Sequence, residues 1–168
     1  MKSRLNIASR VWVLTLVAAL LTTPGWAQQR GPSTPEERTK AVRIARQLEA
    51  DPLSKELRDG REWLLRWLIE IPDITVSVCG GLLGPVVGSK KNYSSEILTQ
   101  MIFSEAAFII ENPDRAKDQV GVHQAGVEGA LRAYESILRT NPKARWLFLD
   151  ELIAKRDKGA LADYVRAA

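Results

Sequence analysis

The stretch that decides the fold is SSEILTQMIFSEAAFIIEN, residues 94–112. A helix built from it is apolar over most of its circumference, and the pair Asn112–Pro113 ends it. Such a helix must be covered by other elements on several sides. The stretch therefore predicts a central helix in an all-helical fold.

One acidic residue stands out in this helix. On a helical wheel drawn at about 100° per residue, Glu105 falls opposite Glu96 and among apolar neighbours. A carboxylate in such surroundings is costly unless it is paired or protonated. Glu105 is therefore either a structural acid bonded to a polar partner or a carboxylate tuned for ligand or proton chemistry.

The next helix contains VGVHQAGVEGALRAY, residues 120–134, with His123, the one histidine of the chain. The wheel places His123 and Tyr134 on the larger apolar face and Glu128 on the polar side, so His123 and Glu128 do not form a pair. We hypothesise that Glu105 and His123 meet in the core and form one polar contact. Glu105, His123 and Tyr134 are the candidate binding residues.

Glycines occupy a second face of this helix. Gly126 and Gly129 lie there together with small and apolar residues. Glycine costs about 1 kcal/mol relative to alanine inside a helix. Two glycines on one face therefore indicate that another backbone comes close, and that the helix is buried on two sides.

Start and stop residues divide the remaining chain into further helices. Thr34 and Glu37 form a capping box around Pro35, and Gly159 is a helix terminator. The predicted helices cover approximately residues 35–50, 52–71, 94–111, 117–139, 142–158 and 160–168. We predict an all-α fold, a compact bundle or array of about five to six helices forming a single domain over residues 35–168.

Two places in this scheme are less regular. The second helix carries a possible break at Asp59–Gly60. Residues 73–88 include ITVSVC, which alternates like a strand, but no second strand is apparent for it to pair with. We predict a short, glycine-loosened helix there.

The first 27 residues have the anatomy of a secretory signal peptide. A basic start is followed by an apolar run of eleven residues and by the small residues Gly25 and Ala27. We expect cleavage after Ala27, a flexible leader over residues 28–34, and an exported protein in the periplasm or outside the cell. The apolar run is too short to span a bilayer, so no stable membrane insertion is expected after cleavage.

Charge and composition argue against several classes of function. The net charge is +4, but three basic residues and no acidic one leave with the signal peptide, so the mature chain carries +1. A nucleic-acid partner is therefore not predicted. The lone Cys79 cannot form an intramolecular disulfide, and we expect it to be buried as a small apolar side chain.

No cofactor, metal or catalytic motif is recognised. The stretch GLLGPVVGSKK does not match a phosphate-binding loop. Three residues instead of four separate Gly84 from Gly88, and Ser89 precedes Lys90 instead of following it. One histidine and one cysteine do not make a zinc site, and no serine lies in a GxSxG elbow. We predict no catalytic residues, no metal and no cofactor.

Residues 130–144, ALRAYESILRTNPKA, resemble the second helix of a tetratricopeptide repeat. Ala130, Tyr134 and Pro142 stand at that family's spacing, with Ile137 where a small residue is usual. No 34-residue period recurs in the chain. No peptide-binding groove is carried over from the resemblance.

The leading hypothesis is an exported, non-enzymatic helical protein that binds another protein in the bacterial envelope, as an inhibitor, an immunity protein or an assembly factor. Trp63 and Tyr93 are candidate interface anchors or core residues. The oligomeric state is left open.

Two alternatives remain. One is an envelope hydrolase that uses Glu105 with a second carboxylate such as Asp73 or Glu70. The other is a small-ligand carrier with an apolar pocket near Glu105 and His123. An open cleft at Glu105 would favour the hydrolase, and a sealed Glu105 would count against it. A large internal cavity would favour the carrier.

Overall fold

The computed structural model describes residues 30–168, and within them the chain forms α-helices and 3₁₀ segments but no strand. The helices are α1 (Pro35–Ala50), α2 (Arg58–Glu70), α3 (Ser94–Glu111), α4 (Gln119–Thr140), α5 (Leu147–Asp157) and α6 (Leu161–Ala167). The 3₁₀ segments are Gly80–Val86, Pro113–Arg115 and Pro142–Ala144. The all-α prediction is confirmed, and counting the seven-residue segment Gly80–Val86 puts the number of helices slightly above five to six.

Helix α3 is the centre of the arrangement. It packs along α4 in the most extensive helix pair, and α1 lies against both. Helices α5 and α6 cover α4, while α2 packs against α1 at the periphery. The central position predicted for residues 94–112 is therefore confirmed.

The core consists of two apolar clusters, and α3 contributes to both. Ile97 and Met101 of α3 belong to the cluster formed with α4, α5 and α6. Phe103, Ala106 and Ala107 belong to the cluster formed with α1 and α2. One apolar helix thus supplies both halves of the core, as its all-round apolar pattern requires.

Local capping chemistry sets several helix ends. The Thr34 side chain accepts from the backbone of Glu37, and the Glu37 carboxylate accepts from the backbone N–H of Thr34, which confirms the capping box. Gly159 follows α5 with a φ of +71°, in the left-handed region that glycine adopts without steric cost. The predicted terminator is therefore confirmed.

The predicted helix over residues 73–88 is only partly correct. Ile74–Cys79 has no regular secondary structure, and only Gly80–Val86 turns, as a 3₁₀ segment with Gly84 at a φ of +48°. The reason is local: three glycines and Pro85 leave too few consecutive residues able to hold α-helical hydrogen bonds. The predicted second helix, residues 52–71, is wrong at its start, because residues 52–57 form turns and α2 begins at Arg58. The possible break at Asp59–Gly60 is also wrong, because both residues lie inside α2.

Two further sequence expectations need correction. Cys79 is half-buried at the edge of the first cluster instead of being sealed within it. Residues 142–158 do not form one helix, because Arg145 and Trp146 are extended between a 3₁₀ turn and α5.

Asp73 ties the segment before α1 to the end of α2. Its carboxylate accepts from the backbone N–H and the hydroxyl of Ser33, at 2.9 and 2.7 Å, and from Arg38 at 2.7 Å. The part of the predicted flexible leader within the described residues is thus hydrogen-bonded to the body at Ser33. The predicted signal peptide, residues 1–27, lies outside the described residues.

Within residues 30–168, no helix has both the length and the apolar character needed to cross a bilayer.

Candidate functional site

Glu105 and His123 meet at the interface of α3 and α4, as hypothesised. His123 Nδ1 lies 2.9 Å from Glu105 Oε1. The Glu105 side chain is 0% exposed, and that of His123 is 16% exposed. The carboxylate is therefore sealed from solvent, and the histidine at the contact is itself mostly buried.

Two glycines of α4 make room for this contact. A β-carbon on Gly126 would lie 2.5 Å from Cγ of Glu105, and one on Gly129 would lie 1.9 Å from Oγ of Ser104. Neither distance is tolerated between non-bonded atoms, so α3 and α4 pack this closely only because the two positions lack side chains. The close packing predicted from the glycines is confirmed, but the nearest atoms belong to the side chains of Glu105 and Ser104 and not to another backbone.

The environment of Glu105 favours its protonated form. Burial raises the pKa of Glu105 to about 7, although the hydrogen bond and the charge of His123 act in the opposite direction. Its second oxygen, Oε2, has no hydrogen-bond partner among the described residues. The group can thus exchange a proton near neutral pH, but a substrate cannot reach it without rearrangement of the core.

A second buried glutamate, which the sequence analysis missed, behaves in the opposite way. Glu49 of α1 accepts from Ser104 at 2.7 Å, from Arg46 at 2.6 Å and from Arg132 of α4 at 2.9 Å. Burial opposes ionisation, but the hydrogen bonds from Arg132 and Ser104 and the two arginine charges lower the pKa of Glu49. The spacing of Arg46 and Glu49 on α1 was the local signal for part of this network.

The carboxylates suggested as partners of Glu105 are engaged elsewhere. Asp73 accepts hydrogen bonds from Ser33 and Arg38. Desolvation opposes its ionisation, but these hydrogen bonds together lower the pKa of Asp73 to about 2. Glu70 faces Arg30 at 3.5 Å. Among residues 30–168, no group of three or more His, Cys, Asp or Glu side chains is placed to hold a metal ion.

Tyr134, the third candidate binding residue, is fully buried. Its hydroxyl accepts from the backbone N–H of Trp146 at 2.8 Å and lies 2.9 Å from Asp150 Oδ1, to which it donates. Burial raises the pKa of Tyr134 to about 12, so the hydroxyl remains a donor. Tyr134 therefore holds the start of α5 in place, and it does not contact the Glu105–His123 pair through its hydroxyl.

The chain held by Tyr134 forms part of a surface from which the sequence analysis singled out only Tyr93. We call it the loop surface, and it comprises the half-buried Asn92, Tyr93 and Trp146 and the exposed Leu147. Trp146 Nε1 donates to the backbone oxygen of Asn92 at 3.1 Å, and the Asn92 amide donates to the backbone oxygen of Arg145 at 3.2 Å. Leu147 is 74% exposed.

The loop surface contains strained backbone next to a cleft. Asn92 and Tyr93 have φ angles of 50° and 57°, in the left-handed region. Each such residue costs on the order of 1–3 kcal/mol and persists only where the surroundings enforce it. The Trp146 contact and a 3.2 Å hydrogen bond from Asn141 to the Tyr93 hydroxyl provide that support. The cleft, about 610 Å³, is lined by Ser89, Lys90, Asn92, Tyr93, Ser94, Ser95, Glu96 and Asn141.

The aromatic residues suggested as interface anchors are both half-buried. Trp63 stacks on Trp67 with ring centroids 5.5 Å apart and lies beneath the ammonium group of Lys40. Tyr93 lies in the loop surface, so only this second residue stands in a candidate interface.

Comparison with known proteins found no matching family model, no matching curated protein and no matching solved structure.

Proposed function

We propose that this chain is an exported, non-enzymatic helical protein that binds another protein in the bacterial envelope, and that the loop surface is the contact. The observation that carries the proposal is Leu147, a leucine 74% exposed beside the half-buried ring of Trp146. Burying an exposed leucine contributes roughly 1.5–3 kcal/mol. A partner that covers Leu147 and the edge of Trp146 gains this energy.

The loop surface is held rigidly before a partner arrives. The Tyr134 hydroxyl accepts from the backbone N–H of Trp146. Asn92 donates to the backbone oxygen of Arg145 and accepts from the Trp146 ring N–H. A surface ordered in advance loses less conformational entropy on binding, which leaves more of the contact energy for affinity. The polar cleft next to it supplies hydroxyl, amide and ammonium groups for the rim of an interface.

The hydrolase and carrier alternatives receive less support. The Glu105 carboxylate is fully buried, and neither Asp73 nor Glu70 bonds to it. The cleft of about 610 Å³ is lined by neither Glu105 nor His123. Inhibitor, immunity and assembly roles all fit a protein-binding surface of this kind.

The test is affinity capture from the envelope fraction with three tagged forms of the mature protein: wild type, Leu147→Asp and Ile69→Asp. Ile69 is a matched control, because it is 77% exposed on α2, outside the loop surface. We expect one specific partner with wild type and Ile69→Asp, and at least about a tenfold loss with Leu147→Asp, because a charge is then buried against an apolar contact.

Two results would contradict the proposal. Recovery of no protein partner by the wild type would remove the protein-binding function. Equal recovery by Leu147→Asp and wild type would keep that function but reject the loop surface as its site. Circular dichroism of each variant confirms that the fold is intact.

A further inference from the structure

Helix α2 has an exposed face that no part of the described chain covers. Leu64 and Trp67 are buried against the body, whereas Leu65 and Ile69 on the opposite side are 42% and 77% exposed. Leu65 and Ile69 are four residues apart and therefore neighbours along one face of the helix. They form a small apolar stripe facing solvent.

A row of alternating charges runs beside this stripe. Its members, at intervals of four residues, are Arg58, Glu62, Arg66 and Glu70. The spacing is that of intrahelical ion pairs, and the sequence alone suggests a ladder of such pairs. Within the described residues these four side chains do not pair with one another, and the one ion pair of the row joins Glu70 to Arg30 at 3.5 Å. Arg58, Glu62 and Arg66 are therefore available to charges from outside the chain.

We propose that this α2 face, made of Leu65, Ile69 and the four charged residues, binds the same face of a second copy of the chain, with the two α2 helices antiparallel about a two-fold axis. The proposal rests on charge complementarity. The axis lies level with Leu64 along the helix, so Arg66 of each copy lies opposite Glu62 of the other. At about 100° per residue these two positions are about 40° apart and share one flank of the contact, whereas Arg58 and Glu70 are about 120° apart and do not pair.

Other arrangements of the same two helices are disfavoured by charge. A parallel pair in register places each charged residue beside its own copy, so like charges meet. Moving the antiparallel register by one step of the row, in either direction, places Arg66 or Glu62 opposite its own copy. Like charges placed directly opposite one another are destabilising, so the row selects one direction and one register.

The apolar stripe fits the same register. Leu65 lies one residue from the axis, so the two copies of Leu65 meet at the centre of the contact. Ile69 lies farther out, level with Asp59 of the other copy and one residue from Arg58, whose aliphatic stem can cover it. The interface is isologous, as expected for a two-fold dimer.

The dimer is expected to be weak and sensitive to salt. One pair of 13-residue helices buries less than the roughly 1,200 Å² typical of stable interfaces. Exposed ion pairs contribute little energy each and are screened by salt. The contact therefore forms at high protein concentration and low ionic strength, or where another contact raises the local concentration.

The experiment is sedimentation velocity of the mature protein over a wide range of concentration at low and high salt. We expect wild type and Leu147→Asp to dimerise with the same dissociation constant. Arg66→Glu should raise that constant by about tenfold or more, because two symmetry-related contacts change sign together. The double variant Glu62→Arg with Arg66→Glu should restore dimerisation, since it exchanges the two charges of each pair.

The outcomes separate this inference from the proposed function. A wild type that remains monomeric at every concentration overturns the dimer, and a double variant as weak as Arg66→Glu overturns the antiparallel register. A dimer lost in Leu147→Asp but retained in Ile69→Asp would place self-association on the loop surface and reject the α2 face. All substituted side chains are exposed, so the variants should fold, and circular dichroism checks this.

Discussion

Two buried glutamates, each bonded to a side chain of α4, differ in protonation because their partners differ. Glu49 has two arginines and a hydroxyl around it and is held ionised. Glu105 has one histidine, and burial raises its pKa to about 7. Burial alone thus does not decide the charge of a carboxylate; the number of donors that reach it does.

This contrast predicts a specific dependence of stability on pH. The pKa of Glu105 rises from 4.5 to about 7 on folding, so between these values the folded state binds a proton that the unfolded state has lost. The free energy of unfolding should therefore fall as pH rises through this window, by at most about 3 kcal/mol. Glu105→Gln should remove most of this fall, as measured by denaturant unfolding from pH 4.5 to 8.

Glu49→Gln is the matched control for that measurement. Because the pKa of Glu49 is lowered on folding, its carboxylate stabilises the protein above its ordinary pKa. Glu49→Gln should be less stable than wild type at pH 8. At the same pH, Glu105→Gln should be at least as stable as wild type. A wild type and a Glu105→Gln protein with parallel pH profiles would show that Glu105 does not titrate on folding.

At the scale of elements, the pairing of α3 with α4 depends on glycine. Helix boundaries follow from local chemistry, and Thr34, Pro35 and Gly159 identify them in the sequence. The glycines predict close packing, but they do not predict which group fills the space. At Gly129 that group is Ser104, because of how α3 and α4 pack against each other. The packing of two helices cannot be read from the hydrophobic period of either helix.

Replacing two helix glycines by alanine should have opposite effects. At Gly129 the new methyl group would lie 2.4 Å from Cβ of Ser104, so the helices must separate, and we expect a loss of about 1–3 kcal/mol. At Gly60 of α2 it would lie 3.5 Å from Ile44, an ordinary contact, and the gain in helix propensity, up to about 1 kcal/mol, should appear. Thermal and urea unfolding compare the two variants, and a stabilised Gly129→Ala protein would contradict the packing argument.

At the scale of the whole molecule, the predicted signal peptide lies outside the part of the chain that makes the described contacts. The described contacts begin at Arg30, which bonds to Glu37 and Glu70, and at Ser33, which bonds to Asp73. Cleavage after Ala27 leaves all of these residues in the mature chain. The predicted signal peptide therefore shares no residue with these contacts.

We predict that the exported protein begins at Gln28. Intact-mass measurement of the protein recovered from the envelope or the medium should match residues 28–168. Ala27→Leu should slow processing and leave the longer form, because the position before the cleavage site requires a small residue. A protein that retains residues 1–27 in its final location would contradict the signal-peptide prediction.

The sequence by itself determined the helical class, most helix ends and the burial of Glu105, because hydrophobic period and capping act over a few residues. It also identified Glu105 and His123 as the two polar groups stranded on apolar faces. Only the tertiary structure decided which partners the polar groups have, as Arg132 reaches Glu49 across 83 positions and Trp146 reaches Asn92 across 54. It likewise left Leu147 and the charge row of α2 exposed. These features depend on how helices pack, and packing joins residues that no local pattern relates.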